Sequence, residues 1–232
     1  SPEALDVTIS PEQQELIANH EFEQYYSSQG AGQFAAQVQT NNIQVSLLAL
    51  AGGATAGTLT VAVLLSNGFS LGAVGALMHQ NDAAGTFWGL ILPHGLLEIS
   101  AIIVAGAVGL KLGWAILAPG EDRSRTEAIT SEARNGVTIV VGLAIWFVVA
   151  GFIEALVTPS GLPAAVRILI GVLALAAAVL HVLAFGPAAL AQARSDDATD
   201  PWESERADLA RADKLTSGIV AGTPAPTAPR AP

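Results

Sequence analysis

The 232-residue sequence contains no cysteine, a single methionine, and no lysine or arginine in its first 42 residues. Without cysteine there is no disulfide, no thiol nucleophile and no thiolate metal site, and redox chemistry says nothing about compartment. Charged residues are scarce at 13%, about half the share of a typical soluble chain. No basic patch interleaved with aromatics exists, which excludes a nucleic-acid partner. A GxSxG elbow and a Walker-type phosphate loop are both missing, so neither a serine hydrolase of that class nor an ATPase is encoded here, and any energy source is a partner. There is no initiator methionine and no secretory signal, and the first residues are polar. The sequence reads as beginning inside a longer protein.

Apolar residues dominate what is there: 51% hydrophobic, with a mean hydropathy of +0.49. Apolar stretches at 43–66, 86–117, 137–157 and 164–186 are each long enough to cross a hydrocarbon layer about 30 Å thick. The segment 68–78 (GFSLGAVGALM) is apolar but too short to span unaided. The expected fold is all-α, a polytopic transmembrane helix bundle of about five spans, with 68–80 short or re-entrant. Gly53 and Gly57, Gly68 and Gly72, and Gly109 and Gly113 each have the four-residue spacing that lets helices approach closely.

Most of the acids behind the net charge of -10 lie in residues 1–27 and 196–213, outside the apolar block. Ser10 and Pro11 mark a helix start. From there Glu12, Glu15, Glu21 and Glu23 alternate with Leu16, Ile17, Phe22, Tyr25 and Tyr26, which suits a helix lying on the membrane surface. The expected organisation is an extracytoplasmic amphipathic helical segment over 1–42, a bundle over 43–190, and a charged then Pro-rich disordered tail over 191–232. Arg123, Arg125 and Arg134 in the linker 119–136, and five basic residues in the tail, put both on the cytoplasmic side. An odd number of crossings between 43 and 118 follows: three give five spans in all, and one with a re-entrant hairpin gives three.

Chemistry concentrates in LILPHGLLEIS (90–100). Pro93 interrupts the helical ladder and Gly95 loosens it. His94 and Glu98, four apart, share a helix face, and an ionisable pair inside a span is costly enough to mark a functional candidate. Glu154 lies about one turn from the turn TPSGLP (158–163), so the three side chains are expected at one depth. Three readings compete: an interhelical structural pair; a ligand, proton or ion pathway; and a metal or acid–base catalytic site. The last lacks an HExxH motif and a second histidine at ligand spacing. Asn41 and Asn42 read as caps of the first span, Lys111 and Arg167 as side chains that snorkel from span ends, and His181 as a packing or interfacial residue.

The order YYSSQGAGQFAAQVQTNN, LILPHGLLEIS, GLKLGWAILAPG and IEALVTPSGLP resembles the stage II sporulation protein M family (DUF95 membrane proteins) over about residues 1–190. Longer members carry a basic cytoplasmic segment and one further span before the sequence at which this chain opens. The resemblance implies a fold like the six-span membrane half of certain ABC exporters and, in sporulating bacteria, an anchor that gathers peptidoglycan-degrading partners without itself being a known hydrolase. The family's marked positions fall here on Asn41, Asn42, Pro93, His94, Gly95, Glu98, Glu154, Thr158, Pro159 and Ser160. The acidic, Pro-rich tail departs from the longer members.

The function expected first is a non-enzymatic subunit of the bacterial cytoplasmic membrane that organises envelope or peptidoglycan-remodelling partners. A permease-like component with a ligand site at His94, Glu98 and Glu154 is the alternative, and an intramembrane metalloenzyme the third. The expected contacts are membrane lipids, other membrane or envelope proteins and, as an option, further copies of the chain; no cofactor is expected.

Overall fold

A computed structural model of the chain describes residues 31–120, 123–198 and 209. The surface helix expected before residue 31 lies outside the described residues. Over 31–198 the described residues form five successive α-helices: α1 (Ala31–Ala51), α2 (Thr58–Gln80), α3 (Ala84–Leu117), α4 (Arg125–Phe152) and α5 (Ala164–Ala198). A 3-10 turn (Gly52–Thr55) follows α1 and a π-helical turn (Ile153–Val157) ends α4. Among the described residues four segments are long and apolar enough to cross a membrane: Thr58–Gln80, Ala84–Leu117, Arg125–Val157 and Ala164–Ala188. No described residue lies in a strand, and the fold is all-α.

Helix α3 is the hub. Its buried positions Phe87, Leu90, His94, Leu97, Ala101, Ala105 and Val108 recur every three or four residues, the period that puts one stripe of a helix against its neighbours. Proline 93 does not break it, and the 34-residue helix runs through. Around α3 the other helices are placed by their contacts. Alongside it α1 runs parallel, with Asn42 meeting Glu98 and Gly53 meeting Gly109. In the opposite direction runs α2, with Leu64 over Gly106 and Gly75 against Phe87. Helix α4 is also antiparallel: Glu132 pairs with Lys111 at 2.8 Å, Gly136 packs on Val108 and Glu154 reaches His94. The start of α5 lies at the His94 end, where Ala164 sits against Gly89 and Gly171 against the carbonyls of Leu92 and Pro93. Ala101, Ile102, Ala105, Leu143 and Phe147 form the core between these helices.

The apolar run 43–66 is not one span, because the chain reverses inside it. Helix α1 stops at Ala51, the 3-10 turn follows, and Ala56 and Gly57 both take left-handed backbone angles (φ 53° and 82°). Glycine adopts that conformation freely and alanine does so at a cost. Thr60 Oγ1 donates to Ala49 O at 2.7 Å across the bend, and Thr55 Oγ1 accepts from Leu59 N at 2.9 Å, so the reversal satisfies groups that a helix end leaves open. The segment 68–80, expected to be short or re-entrant, is the second half of the 23-residue α2.

Two of the three glycine pairs meet each other. A Cβ on Gly113 would lie 2.5 Å from Gly57 N, one on Gly53 would strike Gly109 O, and one on Gly109 would strike Ala49 O. Gly68 and Gly72 have nothing within 4 Å of where a Cβ would stand, so the same spacing there packs nothing within this chain.

Between α3 and α4, Ser124 and Glu127 form a reciprocal capping box at 3.3 and 2.8 Å, which starts α4 on schedule. Contacts divide the chain within α5, after Ala178. Beyond that point α5 continues to Ala198, eight residues into the segment expected to be disordered. There His181 packs its ring on Phe185, with centroids 4.9 Å apart.

Candidate functional site

The stripe of α3 that faces its neighbours carries His94 and Glu98 where apolar residues would otherwise stand. The matching stripe of α4 reads Gly136, Leu143, Phe147, Ala150 and then Glu154, all buried. This alternation of four- and three-residue steps delivers the Glu154 carboxylate to the depth of His94. Thr158 follows after another four residues and is also buried, at 3% exposure. Two successive four-residue steps would drift by about 80° around an ordinary helix of 3.6 residues per turn. The wider π turn absorbs that drift and keeps Glu154 and Thr158 facing the same way.

Four segments therefore converge. Glu154 Oε2 pairs with His94 Nδ1, and Thr158 Oγ1 stands 3.4 Å from the same nitrogen. Asn42, from α1, donates through Nδ2 to Glu98 Oε2. Thr158 N bonds Ile153 O at 3.0 Å to close the π turn, and Arg167, from α5, donates to Thr158 O. His94, Glu98 and Glu154 retain only 2, 1 and 3% of their surface. Polar groups so enclosed are stable only when paired, and here each pairing ties one helix to another. Glu98 Oε1 and Arg167 Nε are enclosed without a hydrogen-bond partner among the described residues, as is Glu154 Oε2 apart from its pairing with His94.

The structure thus brings together five of the ten marked positions: Asn42, His94, Glu98, Glu154 and Thr158. His94 and Glu98, which share a face of α3, are engaged in two pairs that cross between helices, with Glu154 and with Asn42. Asn42 is not a cap but lies mid-helix in α1, while Asn41 is exposed and its Nδ2 donates to Asn42 Oδ1 at 3.5 Å. Pro159 is exposed, and Ser160 bonds Val157 O at 2.6 Å, closing the turn. Pro93 and Gly95 are buried within α3, and the Pro93 carbonyl seats Gly171. Arg167 does not snorkel; it folds back onto Thr158 O. Lys111 is engaged with Glu132, although its side chain stays 65% exposed. Sequence reasoning missed Gln39, which donates to Phe147 O at 2.7 Å and lies one turn before Asn42 on α1.

Among the described residues no group of three or more His, Cys, Asp or Glu side chains is placed to hold a metal ion. A cavity of about 360 Å³ lies between α1 and α4 over Ala105, and His94, Glu98 and Glu154 are not among its walls.

The stage II sporulation protein M family matches residues 5–159, about two thirds of the chain. The chain belongs to that family. An uncharacterized protein of the archaeon Methanocaldococcus jannaschii is 32% identical over 124 residues, covering 53% of this chain and 70% of the relative. No solved structure matches. The family region ends at Pro159 and so contains α1 to α4, the π turn and every cluster residue except Arg167. Family membership and four apolar helices of spanning length make this a multi-pass membrane protein.

Proposed function

We propose that the chain is a non-enzymatic subunit of the cytoplasmic membrane that organises or anchors envelope or peptidoglycan-remodelling partners, and that its buried polar cluster is the clamp holding its partner-facing turn in place. The observation that carries this reading is the enclosure of His94, Glu98 and Glu154 at 1 to 3% exposure, each engaged by another helix. A transport site or a catalytic centre needs access for its substrate, and the cavity between α1 and α4 is walled by other residues. The clamp ends at the turn 158–163, where Pro159, Gly161, Leu162 and Pro163 are exposed. A rigid, exposed turn beside a fixed helix end suits docking, because little conformational freedom is lost on binding. The test is recovery from native membranes in a gentle detergent. The reading predicts that the same envelope proteins return with the chain in repeated preparations, and that replacing Leu162 with Glu removes them; repeated recovery of the chain alone would sink it.

A further inference from the structure

The hairpin between α2 and α3 carries a histidine that neither the polar cluster nor the proposed docking turn uses. Helix α2 ends with its carbonyls satisfied: Asn81 N and Asn81 Nδ2 donate to Leu77 O at 3.2 and 2.9 Å, Ala83 N donates to Met78 O at 2.9 Å, and Asp82, at φ 57°, donates its N–H to His79 O at 3.3 Å. Within that last turn the His79 ring is gripped from two sides. Its Nδ1 stands 2.7 Å from Gly75 O, and its Nε2 accepts at 3.3 Å from Nε1 of Trp88, in the second turn of α3. The two rings meet edge to face with centroids 6.1 Å apart, and Trp88 in turn packs edge to face on Phe87 at 4.9 Å.

These partners leave one arrangement of protons. A carbonyl only accepts and an indole N–H only donates. Nδ1 therefore carries the proton given to Gly75 O, and Nε2 offers the lone pair that receives the Trp88 N–H. A second proton, on Nε2, sets two donors against each other, and Trp88 has no acceptor with which to answer. The ring stays with α2, because Gly75 O still accepts from Nδ1; the tryptophan is the group that leaves. Imidazole is the side chain that changes charge within the ordinary pH range, and His79 and Trp88 are both exposed, so a proton can reach them. No other charge competes along the two helices here: α2 has no Asp, Glu, Lys or Arg, and neither do the first ten residues of α3. The charged groups nearby are Asp82 of the link, which is exposed, and Arg167 of α5, which is engaged with Thr158 O.

We propose that His79 and Trp88 form a proton-operated latch between α2 and α3, closed while Nε2 is bare and opened by its protonation with release of the Trp88 indole. The release reaches beyond the hairpin. Gly89, next in sequence, is the surface against which Ala164 and Arg167 of α5 are packed, so the second turn of α3 is held by α2 through Trp88 and by α5 through Gly89. Opening the latch frees one of those holds. This latch is independent of the proposed partner-organising role.

The test uses the full chain in phospholipid nanodiscs, with isotope-labelled histidine and tryptophan followed by NMR from about pH 8 to about pH 5, the interval in which imidazole titrates. At the alkaline end the neutral His79 ring should be the Nδ1–H tautomer. On acidification the Trp88 indole N–H resonance should move in one step from a hydrogen-bonded to a free position, while those of Trp114 and Trp146 stay. His79→Gln should abolish the step. The tautomer and the step are both read on the wild-type chain, so they decide the outcome even where the variant does not fold. The latch is refuted if neutral His79 carries its proton on Nε2, if the Trp88 resonance does not move, or if it moves equally in His79→Gln.

Discussion

The two ends of α3 hold their neighbours by opposite means. At the His94 end, contact is made through side chains: a histidine, two glutamates, an asparagine and a threonine reach across the gaps between helices. At the Gly109 end Lys111 pairs with Glu132 of α4, but the contact with α1 and the bend after it is made through glycines. Gly53, Gly57, Gly109 and Gly113 let backbone touch backbone, and Thr60 donates across the bend to Ala49 O. In lipid both are effective, since hydrocarbon offers no hydrophobic drive between helices and leaves close packing and interhelical hydrogen bonds to hold them together. They differ in tolerance. The polar end can be re-made with other side chains of matching shape, whereas the glycine end has no room for any.

The comparison is broken most severely at the glycine end. Gly109→Val would put atoms where Ala49 O and Thr60 Oγ1 lie. Because backbone cannot move aside, the loss should exceed about 5 kcal/mol, in the range reserved for failed packing. The expected outcome is no recoverable folded protein by size-exclusion chromatography. Next comes the polar end: His94→Ala leaves Glu154 enclosed without its ion-pair partner, a change of about 3–5 kcal/mol for a fully buried pair, read as lowered resistance to denaturant in bilayers. Asn42→Ala strips Glu98 of its hydrogen bond and should cost about 1–3 kcal/mol by the same assay. The smallest effect sharpens the contrast. Gly68→Ala, at the same four-residue spacing but facing open space, should be neutral or stabilising by up to about 1 kcal/mol, because alanine favours a helix over glycine.

Much of this contrast was legible in the sequence. His94, Glu98 and Glu154 stood out because ionisable residues are rare in apolar runs, and their common depth followed from Glu154 lying near the turn 158–163. The glycine pairs at 53/57 and 109/113 were visible as spacing. Their difference from Gly68 and Gly72 was not, because spacing records which residues share a helix face and not what lies opposite. The reversal after Ala51 was hidden for a related reason. Hydropathy continues unbroken through 43–66, and the bend depends on Ala56 and Gly57 taking positive φ, of which the only trace is the small-residue string GGATAG. Asn42 read as a cap because it stood at the edge of the apolar run, but α1 begins eleven residues earlier and carries it into the bundle. The π turn left no mark in composition, although the step from Ala150 to Glu154 to Thr158 records it in hindsight as buried spacing.

The claim that the cluster is a clamp is tested most directly by a double-mutant cycle on its central pair, His94→Leu and Glu154→Leu, measured as unfolding free energy in a bilayer. A buried ion pair can be exchanged for apolar side chains at little cost, while losing one partner is expensive. The clamp predicts about 3–5 kcal/mol lost in each single variant and a double variant within about 1.5 kcal/mol of wild type, with its partners still recovered. Losses that simply add, or a stable double variant that no longer retains its partners, would contradict it.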